Sequence, residues 1–113
     1  MDTNQIKNYL AQYDKGKIVF SHYCRACHGA PDAHITDNPT FDNLFDRLPS
    51  PAEEYFARFI NNEKELKRTG DKYVQAVEKE YDNVSIDHHF KDSLTDTDMY
   101  NLIVYIKIAS KKV

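Results

Sequence analysis

Apolar positions recur along the chain at helical rather than strand spacing, and this periodicity divides it into segments. Residues 2–12 are polar apart from Ile6, Tyr9 and Leu10, which predicts a short leading helix or an arm lying on the domain. From Asp14 the pattern sharpens: Gly16, Phe20, Cys24 and Cys27 fall at steps of four, four and three and stack on one helical face. A glycine inside a helix costs about 1 kcal/mol against alanine. Gly16 has no turn role, so another backbone is expected to pass close to it. Residues 29–49 hold Gly29, Pro31, Asn38, Pro39 and Pro49 without sustained periodicity and read as a long loop with one short helical turn.

Ser50-Pro51-Ala52-Glu53 has the form of a capping box with proline at the first helical position. Ala52, Tyr55, Phe56, Phe59 and Ile60 follow at i, i+3, i+4, i+7 and i+8, the clearest amphipathic helix in the chain. The charged run from Glu63 to Arg68 either extends that helix or forms a solvated turn. Thr69-Gly70-Asp71 reads as a stop followed by a new N-cap, and Tyr73, Val74, Val77 and Tyr81 mark the helix it starts, ending near Asp82-Asn83. Residues 83–93 form a polar loop around Ile86, His88, His89 and Phe90. Thr95-Asp96-Thr97-Asp98 then caps a final helix whose apolar face is Met99, Leu102, Ile103 and Ile106, with Tyr105 alongside. No segment has strand periodicity, so the class expected is all-α.

Composition narrows the picture. At 113 residues the chain is expected to form one domain, 1–113, with 1–12 as the leading arm or helix. A formal net charge of −3, with the basic residues dispersed, argues against nucleic acid as a partner and against a basic membrane-binding surface. No apolar run approaches the length of a transmembrane helix, so no direct membrane insertion is expected.

The chemistry is concentrated in Cys24-Arg25-Ala26-Cys27-His28, a C-x-x-C-H pentapeptide that reads as a covalent haem attachment site. Two thiols three residues apart share one side of a helical turn and can add to the two vinyl groups of a haem, while the adjacent His28 reaches the iron. A thioredoxin-like motif would need a β-α-β surround, which the helical periodicity denies. A zinc site would need Cys24, Cys27, His88 and His89 on one metal, and adjacent histidines in one loop rarely both reach one ion. The motif uses both cysteines of the chain, which leaves none for a disulfide framework. A haem also accounts for the long loop, which would have a cofactor to wrap.

Together these residues resemble a mono-haem class I c-type cytochrome. The resemblance covers most of the chain from Lys15 onward. Gly16 and Phe20 stand where family members place a glycine and an aromatic before C-x-x-C-H, and Leu102 to Tyr105 matches the Leu-x-x-Tyr of the closing helix. It implies the cytochrome c fold, with N- and C-terminal helices crossing at Gly16 and a haem wrapped by loops. It also implies that the carbonyl of Pro39 accepts the ring N–H of His28. Tyr55–Ile60 followed by Thr69–Tyr73 is similar to a bacterial subgroup with an inserted helix before the axial-ligand loop. In that loop the family's usual methionine is missing. Ser85-Ile86-Asp87-His88-His89-Phe90 stands there instead, so His88, with His89 as second choice, is the expected sixth ligand. Met99, on the apolar face of the last helix, is expected to pack rather than to ligate.

The function implied is one-electron transfer by one haem c per chain between redox protein partners in the periplasm or otherwise outside the cytoplasm, without catalysis. Haem c is attached outside the cytoplasm, yet the first residues hold no apolar export segment, so the chain is expected to be a mature form or an excised domain. Two alternatives stand beside this reading. One is a haem protein with an open distal site for a small gas or peroxide; the other is the electron-entry domain or subunit of a larger oxidoreductase. The distal ligand discriminates the first of them. Oligomeric state is not encoded in any feature of the sequence.

Overall fold

The structure is a computed structural model and describes residues 2–24, 41–80 and 88–111. Six helices occur among them: α1 Thr3–Tyr23, α2 Leu44–Arg47, α3 Ala52–Asn61, α4 Glu63–Arg68, α5 Lys72–Glu80 and α6 Asp96–Ala109. No strand occurs among the described residues, and the architecture is the all-α one expected. Chain contacts gather into two units, Met1–Leu44 with Asp96–Val113, and Phe45–Thr95.

In the first unit α1 packs along α6. The leading segment is not a separate arm or helix. α1 runs unbroken for 21 residues, because Asp2 and Gln5 cap each other's backbone: Gln5 N–H donates to Asp2 Oδ1 at 2.8 Å and Asp2 N–H to Gln5 Oε1 at 2.8 Å. Its first turns stay exposed, Ile6 and Leu10 included, which is why the apolar pattern there is weak. The crossing expected at Gly16 is present. A Cβ built on Gly16 would collide with the carbonyl oxygen of Asn101 and come within 2.7 Å of the Tyr105 Cβ.

That close approach buries Asn101 and sets the ring of Tyr105 5.1 Å from Tyr13 and 5.5 Å from Phe20. Phe20, Leu102 and Ile106 are fully enclosed, and Met99 is buried with them, as expected of a packing residue. The C-terminus of α6 is closed by Asn43, whose N–H donates to the Ser110 carbonyl at 3.0 Å from a left-handed conformation (φ 48°) that asparagine tolerates.

The second unit is built on the apolar stripe of α3. Tyr55, Leu66 and Val74, one from each of α3, α4 and α5, form its buried cluster, with Leu48, Phe59 and Tyr73 packed against it. Two local readings are corrected here. Pro51, in extended conformation, is the N-cap of α3 rather than its first residue, and no side chain caps it. Ser50 therefore lies one position too far out to reach the first free amides, so the capping box expected at 50–53 does not form. The run Glu63–Arg68 is neither an extension of α3 nor a solvated turn but a separate helix. Asn62 breaks out to an extended φ of −161° and its side chain accepts the Glu65 N–H at 3.2 Å.

Gly70, at φ +83°, ends α4, and Asp71 caps α5, as the sequence implied. Asp71 Oδ2 accepts the Val74 N–H at 3.0 Å and also the Tyr55 hydroxyl at 2.5 Å, tying α3 to α5. Burial first, then the hydrogen bond and charge of Asp71, hold the Tyr55 phenol well above its ordinary value. A proton held more tightly in the folded chain contributes stability that is complete below the unfolded value, about pH 10, and is lost as pH rises beyond it. Tyr55→Phe is thus expected to cost about 1–3 kcal/mol at neutral pH and to flatten the alkaline fall in stability. Urea midpoints measured from pH 7 to 11 check both. A variant with the unaltered chain's alkaline slope would remove Tyr55 as its source.

Candidate functional site

α1 ends where the pentapeptide begins. Cys24 is its C-cap, in near-helical conformation (φ −114°, ψ −31°), with its N–H donating to the Phe20 carbonyl at 2.8 Å. Its side chain is half-buried, one turn beyond Phe20 and therefore on the face that carries the crossing. Cys27, His28 and Pro39 lie outside the described residues. His22, two residues before Cys24, is exposed.

The other candidate ligands, His88 and His89, sit in a loop fastened to the junction of α3 and α4. Helix ends leave backbone groups without intrahelical partners, and the break at Asn62 creates two such ends side by side. The loop takes one group from each: Phe90 N–H donates to the Ile60 carbonyl at 3.1 Å, and Glu63 N–H donates to the His88 carbonyl at 3.0 Å. Ser93 and Leu94 N–H groups then turn back onto the Phe90 carbonyl at 3.0 and 2.9 Å, closing the loop ahead of α6.

The two histidines differ in surroundings. His89 is exposed. The His88 side chain is 24% exposed, its ring 5.2 Å from that of Phe59 and 6.3 Å from that of Phe90, and its Nδ1 lies 2.6 Å from Glu63 Oε1. Glu63 is itself buried, its side chain 4% exposed. A carboxylate oxygen only accepts, so the 2.6 Å contact calls for a proton on Nδ1, and in a neutral ring the lone pair is then on Nε2. Imidazoles that bind metals characteristically give their second N–H to a carboxylate or carbonyl in this way.

Glu63 is the participant that sequence reasoning missed. It stands in a run of charges at surface-helix spacing, and its partner lies 25 residues further on. The one local signal was the Asn61-Asn62 pair, which marks the end of α3 and so turns Glu63 from the middle of a helix into the start of another.

Residues 13–110 match the family model described as cytochrome c. The chain belongs to the cytochrome c family. This cytochrome c therefore carries covalently attached haem c with its iron, one haem per chain, and serves haem-based electron transfer. Redox proteins are the partners of such a domain in general, and domains of the family are typically extracytoplasmic. No helix among the described residues is long and apolar enough to cross a membrane. No curated protein and no solved structure matches the chain significantly.

Proposed function

We propose that this cytochrome c is a bis-histidine, one-electron carrier working between extracytoplasmic, periplasmic redox partners. In this reading Cys24 and Cys27 hold the haem through thioethers, and His28 and His88 ligate its iron. The Pro39 carbonyl orients His28. The donor chemistry of the described residues fits such a group: a half-buried thiol closing α1, and an imidazole whose Nδ1 faces a carboxylate.

The bound haem supplies a one-electron iron couple. The chain's residues do the rest. The helix crossing fixes the end of α1, and with it Cys24. The loop bonds to Ile60 and Glu63 fix the backbone of His88, and Phe59 and Phe90 limit the swing of its ring. With no step of bond making or breaking in turnover, rigid ligands are what such a carrier requires.

The contact that carries this reading is the 2.6 Å approach of His88 Nδ1 to Glu63 Oε1, which favours His88 over the exposed His89. Neutral imidazole is a stronger donor to ferric iron than a thioether, so the potential is expected to lie below that of a His/Met relative. Optical spectra of ferric and ferrous protein, with and without carbon monoxide, test the assignment. A low-spin ferric spectrum without the red-edge sulfur band is expected, unchanged in His89→Ala. A high-spin shift with rapid carbon monoxide uptake is expected when His88 and His89 are both replaced by alanine, since His89 can take the place of His88 in the single variant. A high-spin spectrum in the unaltered protein would overturn the ligation and favour an open distal site.

A further inference from the structure

We infer that Glu63 is a positioning residue that sets the donor strength of His88 and thereby the potential of the haem; this rests on His88 as the sixth ligand. Burying a carboxylate is costly, and a buried ion pair seldom repays that cost as fold stability alone. Glu63 is nevertheless one of the most enclosed side chains in its unit, with a relative exposure of 3%. It engages one residue three times. Its amide N–H donates to the His88 carbonyl at 3.0 Å, and its Oε1 accepts from His88 Nδ1 at 2.6 Å and, at the long distance of 3.4 Å, faces the His88 amide. Backbone and side chain of the same histidine are thus fixed by a single glutamate.

Three consequences follow from that geometry. The tautomer is fixed with the proton on Nδ1, so Nε2 needs no rearrangement to act as a donor. The negative charge draws that proton toward Glu63, raising electron density on the ring, which favours ferric over ferrous iron and lowers the potential. The pinned ring also resists exchange with His89, one residue away. The second axial position then owes its identity to Glu63 as much as to His88.

Three variants of the haem-loaded protein separate these effects. Glu63→Gln keeps an acceptor oxygen at the same reach but removes the charge. It is expected to stay low-spin while the ferric-to-ferrous ratio at a fixed ambient potential falls about tenfold, a rise of about 59 mV for a one-electron couple. Glu63→Asp keeps the charge on a shorter stem, and its potential should lie between those of the unaltered protein and Glu63→Gln. Glu63→Ala removes the pin altogether, and carbon monoxide uptake by its ferrous form should quicken tenfold or more. Circular dichroism confirms that each is folded.

If Glu63→Gln keeps the original potential, or Glu63→Asp shifts it as far as Glu63→Gln does, the electronic role is wrong, although the variant lacking both His88 and His89 still turns high-spin. If the variant lacking both His88 and His89 remains low-spin, the ligation itself is wrong, whatever the Glu63 variants do.

Discussion

Gly16→Val is expected to destabilise the cytochrome by about 1–3 kcal/mol through overpacking, a loss of roughly 4 °C or more in Tm. The bare Cβ already meets the Asn101 carbonyl oxygen and the Tyr105 Cβ, and the first of these is backbone, which cannot rotate away. Valine adds two methyl groups to that collision. The sign of the smaller change, Gly16→Ala, is equally decisive. In an open helix interior it would stabilise by about 1 kcal/mol, whereas here α1 and α6 must separate to admit the methyl group. Thermal melts of both variants check this, and a Gly16→Ala protein more stable than its parent would remove the close crossing from the structure.

What was legible in the sequence follows from how local the cause is. Gly16 was readable because a glycine in a regular helix has few reasons to be there, and the face of α6 was readable because burial repeats at helical spacing. Even there the pattern stopped short: Asn101 and Val104 are buried as well, Asn101 because its backbone is the surface that Gly16 admits. The start of α1 was missed because its first turns bury nothing, so hydrophobic spacing carries no signal. The Asp2–Gln5 box that starts it is a capping feature, independent of burial.

The error at Ser50-Pro51 has the opposite origin. The motif was present, but the helix begins one residue later than the motif requires.

The site was legible in the same uneven way. Cys24-Arg25-Ala26-Cys27-His28 announces its chemistry because three functional groups must lie within one turn. On the proposed distal side the start of a helix and a loop must meet, and the choice between His88 and His89 cannot be made from their adjacent places in the sequence. It turns on Glu63, which joins the His88 ring only because Asn62 ends α3 and starts α4. A buried carboxylate facing a histidine 25 residues away leaves no periodic trace.

The largest change is expected from Cys24→Ala combined with Cys27→Ala: haem should leave the polypeptide completely in acid acetone, whereas the unaltered chain retains it. In the proposed attachment each thiol would add across one vinyl group, forming a carbon–sulfur bond while the thiol hydrogen passes to the neighbouring carbon, so no oxidant would be consumed and the bond would survive acid. The proposed coordination by His28 and His88 would not, because acid protonates imidazoles and removes their lone pairs from a metal. The double variant should therefore still be coloured at neutral pH and bare after extraction, which separates attachment from ligation in one experiment. Either single variant is expected to keep one thioether and with it the haem. Intact mass before and after extraction reads all four proteins. Haem retained by the double variant, or lost by the unaltered chain, would overturn covalent attachment through the pentapeptide.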